Sequence, residues 1–176
     1  MTTEKGVTDK VKGDRSLFER IVSYVPLYKG YRSRNLRRDT DREIRMAVSK
    51  SIKMTKVELE NVYREIVETG DMATARKIER IRNKVDTYNT KVEKAANGYS
   101  GVWASVKKMD DELEAVVAFD AKLLESADGL RKDAEKLRNS VGGDMGNQVQ
   151  EFERNVDSLI ETYEGRELVL KGLTEA

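Results

Sequence analysis

Apolar side chains recur along most of this chain at steps of three and four residues, the spacing that places them on one face of an α-helix. The pattern is most regular between Val102 and Val141, where Asp120 is the single polar residue in the series. Such a sustained repeat is typical of helices that pack as coiled coils. We therefore predict a rod about 60 Å long here, and we expect Asp120 to fix the register of its packing.

The same stepping predicts three further long helices, whose ends coincide with glycines. Their core-facing series run from Ile44 to Ile66, from Met72 to Ala95, and from Val149 to Leu173 with Arg166 as a member. These helices extend from about residue 33 to 69, from 71 to 96 and from the glycines at 142–146 to 173, and the regular helix occupies about residues 100–141. Gly70 stands where the first of them must end, and the following aspartate is a suitable N-cap for the next.

The N-terminal residues behave differently from the rest. Residues 1–14 are polar and carry no apolar repeat, so we predict a disordered tail. Residues 15–32 hold a short amphipathic helix and a turn, because Leu17, Ile21 and Val25 share one face and a proline follows them. The segment 33–173 contains the long helices and forms the bundle.

No segment shows the strict alternation of apolar and polar residues that indicates a β-strand. Four long amphipathic helices with short connections pack as antiparallel neighbours. We therefore predict an all-α fold, an elongated up-down antiparallel helical bundle or coiled coil with a short N-terminal amphipathic helix. In this arrangement the segments 33–69 and 146–173 are expected side by side and antiparallel.

Histidine and cysteine are absent from all 176 residues, which narrows the available chemistry. Zinc sites built from thiolate or imidazole, cysteine nucleophiles, Ser-His-Asp triads and disulfides are excluded. The apolar runs are too short to span a bilayer, and the polar N-terminus lacks the apolar core of a signal peptide. We expect a cytoplasmic protein, possessing no cofactor and no metal site.

A dense group of cations lies between Lys29 and Arg45, where seven cations accompany three acids although the whole chain has a net charge of +1. The residues from Asp144 to Ala176 show the reverse, with eight acids and three cations. If the two segments are antiparallel neighbours, the basic start of one meets the acidic end of the other. Surface ion pairs are worth about 0–1 kcal/mol each, so they would set register more than stability.

The alternative is that these cations bind an anionic partner outside the chain. Cations at a helix N-terminus oppose the macrodipole, so their position is locally unfavourable. The candidate contact residues are Tyr31, Arg34, Arg37, Arg38 and Arg42. Asp39, Asp41 and Glu43 repel phosphate on the same turns, so we expect no nucleic-acid partner. The short helix before them either attaches to an anionic membrane or folds back as a lid over one end of the bundle.

The stretch NGYSGVW, at residues 97–103, is the most distinctive loop and contains the only tryptophan. Tyr99 and Trp103 are our candidates for a recognition site here, because loops carry function and aromatic residues anchor interfaces. The alternative is that both rings close one end of the bundle.

Three segments, KGYRSRNLRRDTDREIR (29–45), NGYSGVW (97–103) and VVAFD (116–120), resemble a family of helical proteins in prokaryotes. The likeness to its GYR…RRDxDxxxR and GYSGxW segments spans about residues 24–140. That family has no assigned activity, so the resemblance implies a helical bundle and no chemistry. The order of a short amphipathic helix before long helices is also similar to phage-shock and ESCRT-III membrane-remodelling proteins, a likeness of architecture.

These patterns predict a non-enzymatic scaffold or protein-interaction module. We expect a protein partner or self-association, and we infer no small-molecule substrate. The alternative function is peripheral membrane binding through the basic and aromatic N-terminal segment.

Overall fold

The computed structural model of the protein describes residues 17–30, 37–98 and 110–175. These residues form helices and turns without a β-strand, which confirms the predicted all-α bundle. The elements are α1 (17–24), a 3-10 turn (Pro26–Gly30), α2 (Arg37–Thr69), α3 (Met72–Gly98), α4 (Asp110–Asn139) and α5 (Gly146–Glu175). The predicted tail at residues 1–14 and the predicted start of the fourth long helix near residue 100 lie outside the described residues.

The apolar series predicted from the sequence forms the core. All of its α2 members from Ile44 to Ile66 are buried, and so are those of α5 from Val149 to Leu170. The polar seam residue Asp120 is fully buried as well. Met72 is an exception. It is the first residue of α3, directly after the hairpin turn, and 48% of its surface is exposed.

Both helical hairpins turn at the same tripeptide, Gly-Asp-Met. In the first, Gly70 has a φ of 81°, which a glycine adopts without steric penalty. Asp71 then caps α3, because its Oδ1 accepts the backbone N–H of Thr74 at 3.0 Å. In the second, the side chain of Asp144 accepts the backbone N–H of Gly146 at 3.1 Å. The predicted helix breaks at 70 and 142–146 are confirmed.

The neighbours of each helix differ from the prediction. α2 packs along both α3 and α4, α4 packs along α5, and α3 contacts α5. The expectation that α2 and α5 lie side by side is wrong, because they occupy opposite corners of the described bundle. An amphipathic pattern predicts which face of a helix is buried. It does not predict which other helix packs against that face. The connection from Gly98 to Asp110 is long enough to reach across the bundle, since an extended chain covers about 3.3 Å per residue.

The two hairpins pack side by side in the same direction, so α3 and α5 are parallel. Ion pairs between α3 and α5 include three that connect residues 73 positions apart: Arg80–Glu153, Lys84–Asp157 and Lys91–Glu164. The acids on this side of α5 therefore meet the cations of α3. Among the described cations from Lys29 to Arg45, none pairs with these three acids.

Residues 17–30, which we call the N-terminal arm, fold back onto the bundle. Ile21, Val25 and Tyr28 are buried, and the ring of Tyr28 lies 5.5 Å from that of Phe18. The apolar face predicted for the short helix is thus covered by the rest of the chain. The helix ends before Pro26, as the sequence predicts.

Candidate functional site

The basic segment does not act as a single surface. Arg45 is almost completely buried, whereas Arg42, three residues earlier, is exposed. Arg37 and Arg38 form the first turn of α2, and their side chains lie outside the described part of the structure. Four other candidates also lie outside the described residues: Tyr31, Arg34, Tyr99 and Trp103.

Arg166 of α5 is fully buried and connects three elements through its contacts. Its Nε donates to Asp120 Oδ1 of α4 at 2.5 Å, and its Nη2 donates to Asp41 Oδ1 of α2 at 2.6 Å. The hydroxyl of Tyr28 donates to the other oxygen of Asp120 at 3.2 Å. The N-terminal arm, α2, α4 and α5 therefore meet in one polar cluster.

Arg45 extends this cluster toward α3. Its Nε donates to Asp41 Oδ2 at 3.0 Å, its Nη2 lies 2.9 Å from Glu167 Oε1, and its Nη1 donates to the hydroxyl of Tyr163. The Tyr163 ring meets the edge of Tyr88 with centroids 5.5 Å apart. We call the five charged residues the buried ion network: Asp41, Arg45, Asp120, Arg166 and Glu167.

The electrostatic environment differs between the two aspartates. Burial raises the pKa of Asp120, against the opposing charge of Arg166. At Asp41 burial acts in the same direction, but Arg166 and Arg45 together outweigh it and hold the pKa below its usual 3.8. Burial also raises the pKa of Tyr163 to about 12, so its hydroxyl is neutral at physiological pH. The charged groups of the network are therefore ion-paired with one another inside the protein.

Part of this network is visible in the sequence. Asp120 and Arg166 both occupy positions in the predicted apolar series, which indicates that they face the core. The charge pattern places Asp41 and Arg45 in the basic segment without predicting that they are buried, although steps of three and four back from Val48 lead to both of them. Following the helical spacing across the charged residues would have predicted that they point inward.

The internal interpretation of the basic segment is correct for one described cation. Arg45 reaches an acid of α5, Glu167. Arg42 has no ion-pair partner among the described residues. Within α2, Arg45 therefore makes an internal ion pair, whereas Arg42 is exposed to solvent.

A surface groove lies beside the outward cation, between the N-terminal arm and α2. It has a volume of about 810 Å³. The arm contributes Tyr24 and Pro26, and the lining residues of α2 include Arg42, Met46, Lys50 and Lys53. We call it the arm–α2 groove. By contrast, a cavity in the bundle core beside Ile52 has only about 10 Å³, near the lower limit for one water molecule.

In the described part of the chain, no group of three His, Cys, Asp or Glu residues is placed to hold a metal ion. The described helices also include none whose length and apolarity would suffice to cross a bilayer.

A scan against protein-family models finds no match to this chain, and searches of curated proteins and of solved structures find none either. The resemblances to a prokaryotic helical family and to membrane-remodelling proteins stay predictions.

Proposed function

We propose that this protein is a non-enzymatic interaction module whose contact surface is the N-terminal part of α2 and the arm beside it. The observation that carries the proposal is the different environment of two arginines one helical turn apart in α2. Arg45 is held in the buried ion network, whereas Arg42 is exposed at the edge of the arm–α2 groove.

The internal packing supports a scaffold in preference to a reaction centre. The charged groups of the buried ion network contact one another at short distances, as Arg166 does with Asp120 and Asp41. Their mutual contacts join α2, α4 and α5 in the interior, away from solvent. A rigid bundle of this kind supports a recognition surface without supplying chemistry of its own.

A pull-down with the full chain as bait tests the proposal. Wild type is compared with Arg42→Glu and with Arg76→Glu, a matched charge reversal at an exposed arginine near the start of α3. We expect a retained protein whose amount falls about fivefold or more with Arg42→Glu and stays unchanged with Arg76→Glu, because charge reversal weakens complementary contacts. Equal retention by both variants contradicts the proposed surface. Turnover of a small molecule by the purified protein contradicts the non-enzymatic assignment.

The competing function is attachment to an anionic membrane through the N-terminal segment. Tyr24 is 42% exposed and lies near Arg42, which suits a headgroup interface. The apolar residues Ile21 and Val25 are buried against the bundle, so insertion of α1 requires the arm to detach. Flotation with anionic vesicles at low salt tests this function. Binding that Arg42→Glu abolishes would favour the membrane over a protein partner.

A further inference from the structure

The arm–α2 groove combines apolar and cationic side chains in an arrangement that fits a particular kind of partner. Tyr24 and Met46 supply exposed apolar surface, 42% and 50% of each residue, inside the groove. The apolar surface continues along the outer face of α2 at Met54 and Val57, which are 46% and 59% exposed. From Met46 to Val57 this stripe is about 16 Å long, or three helical turns.

The geometry of the stripe matches recognition of a helix. Met46, Lys50 and Val57 are four and seven residues apart, so they share one side of α2. Partners that present an amphipathic helix insert their apolar face into a groove of this type. Methionine suits such a surface because its flexible, polarizable side chain adapts to the shape of the partner.

The charges at the groove select the sign of the partner. Arg42 and Lys50 are exposed and have no ion-pair partner among the described residues, and Lys53 pairs with Glu93 across the groove. The groove is thus lined by three exposed cations, Arg42, Lys50 and Lys53, and by two acids, Glu43 and Glu93. By contrast, three cations of α3, Arg80, Lys84 and Lys91, are paired with acids of α5.

We infer that the arm–α2 groove binds an acidic amphipathic helix of a partner protein. This inference rests on the proposed function and names the chemistry of the partner. The helix places its apolar side chains against Tyr24 and Met46, and its carboxylates reach Arg42 and Lys50. A concave site of this kind receives a convex partner, whereas a flat bilayer contacts a groove poorly.

Binding of a defined probe to the full chain tests the inference. The probe is a fluorescent stapled peptide of about four helical turns, with leucines at helical spacing on one face and glutamates beside them. A second peptide carries lysine in place of each glutamate. Fluorescence anisotropy compares wild type with Met46→Glu and Lys50→Glu in the groove. The controls are Met72→Glu and Lys77→Glu, at exposed positions near the start of α3. Met72 is a close match to Met46, since the two are 48% and 50% exposed.

We expect the acidic peptide to bind the wild type and to bind each groove variant at least about fivefold more weakly, while the control variants change by less than about twofold. Binding also weakens with added salt. All four substitutions are at exposed side chains, and far-UV circular dichroism verifies that each variant is folded. Met46→Ala is a milder substitution that removes apolar surface without adding charge, and it too weakens binding.

Several results would overturn the inference. They are no binding of the acidic peptide, equal binding of the lysine peptide, or equal binding by wild type and both groove variants. Light scattering that shows a wild-type dimer and a Met46→Glu monomer would assign the groove to a second copy of this chain. Binding of anionic vesicles that Met46→Glu abolishes, without peptide binding, would assign it to a membrane. If the pull-down still depends on Arg42 while Met46→Glu retains the partner, the proposed function stands and this groove is not its site.

Discussion

Replacing Arg166 with methionine tests whether the buried ion network holds the bundle together. The substitution keeps a long unbranched side chain and removes the charge that contacts three carboxylates. Their oxygens lie 2.5 Å away at Asp120, 2.6 Å at Asp41 and 3.7 Å at Glu167. Removing one partner of a buried ion pair destabilises a protein by about 3–5 kcal/mol, because the remaining charge is left without solvent or compensation.

The structure favours the lower part of this range. Arg45 stays in contact with Asp41 and Glu167 after the substitution, so only Asp120 loses its sole ion-pair partner among the described residues. We therefore expect the free energy of unfolding to fall by about 3 kcal/mol. For a chain of this size, that change lowers the melting temperature by about 6–12 °C.

Urea unfolding followed by far-UV circular dichroism measures the effect. Arg80→Met is the control at an exposed ion pair. Arg80 binds the carboxylate of Glu153 through hydrogen bonds of 2.9 and 3.1 Å, but its side chain is 64% exposed. Exposed pairs contribute about 0–1 kcal/mol, so the control loses much less stability.

Equal losses for Arg166→Met and Arg80→Met would refute the reasoning, because they would mean that the network is as well solvated as the surface. A second variant tests the mechanism of the loss. When Asp120→Leu accompanies Arg166→Met, the unpaired buried carboxylate disappears, so we expect part of the lost stability to return. A double variant less stable than the single variant would indicate that the loss came from packing and not from charge.

Three further measurements test the packing and titration of individual residues. A Cβ added at Gly129 has no other atom within 4 Å, so Gly129→Ala should raise the free energy of unfolding measured in urea by about 1 kcal/mol. A Cβ added at Gly165 lies 3.0 Å from the Phe119 ring, so Gly165→Ala should lower that free energy. Equal gains for the two variants would contradict this packing. Because the folded pKa of Asp41 lies below 3.8, its contribution is complete above that value and is lost as the pH falls through the folded pKa; urea titrations should therefore show the gap between wild type and Asp41→Asn narrowing below pH 3.8, and a constant gap would oppose the prediction. Because the pKa of Tyr163 is raised from 10.0 to about 12, its contribution is present below pH 10 and is lost as the pH rises toward 12; Tyr163→Phe should lack this part of the alkaline destabilisation, as urea midpoints across that interval would reveal.

The sequence was a good guide to the helices because their signals are local. The steps of three and four residues in α2 and α5 predicted which positions are buried, and glycine and aspartate at 70–71 predicted where the first hairpin turns. Met72 was a misplaced member of the series, since periodicity does not reveal that a position at the very start of a helix is left uncovered. The all-α bundle followed from these local signals together.

The candidate site was predicted less well because its members are defined by contacts between helices. The charge count correctly identified a concentration of cations near Arg42 and Arg45. It did not distinguish the two, because burial of a cation depends on whether a carboxylate from another helix lies within reach. For Arg45 that carboxylate is Glu167, on a helix at the opposite corner of the bundle.

By itself, the sequence determined that this chain forms amphipathic helices, which face of each is buried, and that sites requiring histidine or cysteine are impossible. Only the tertiary structure decided that α4, and not α5, packs beside α2, and that Asp41, Asp120 and Arg166 meet in the interior. The physical reason is the range of the interactions. Helical periodicity is set by residues a few positions apart, whereas the pairing of buried charges depends on how helices distant in sequence are placed around a shared core.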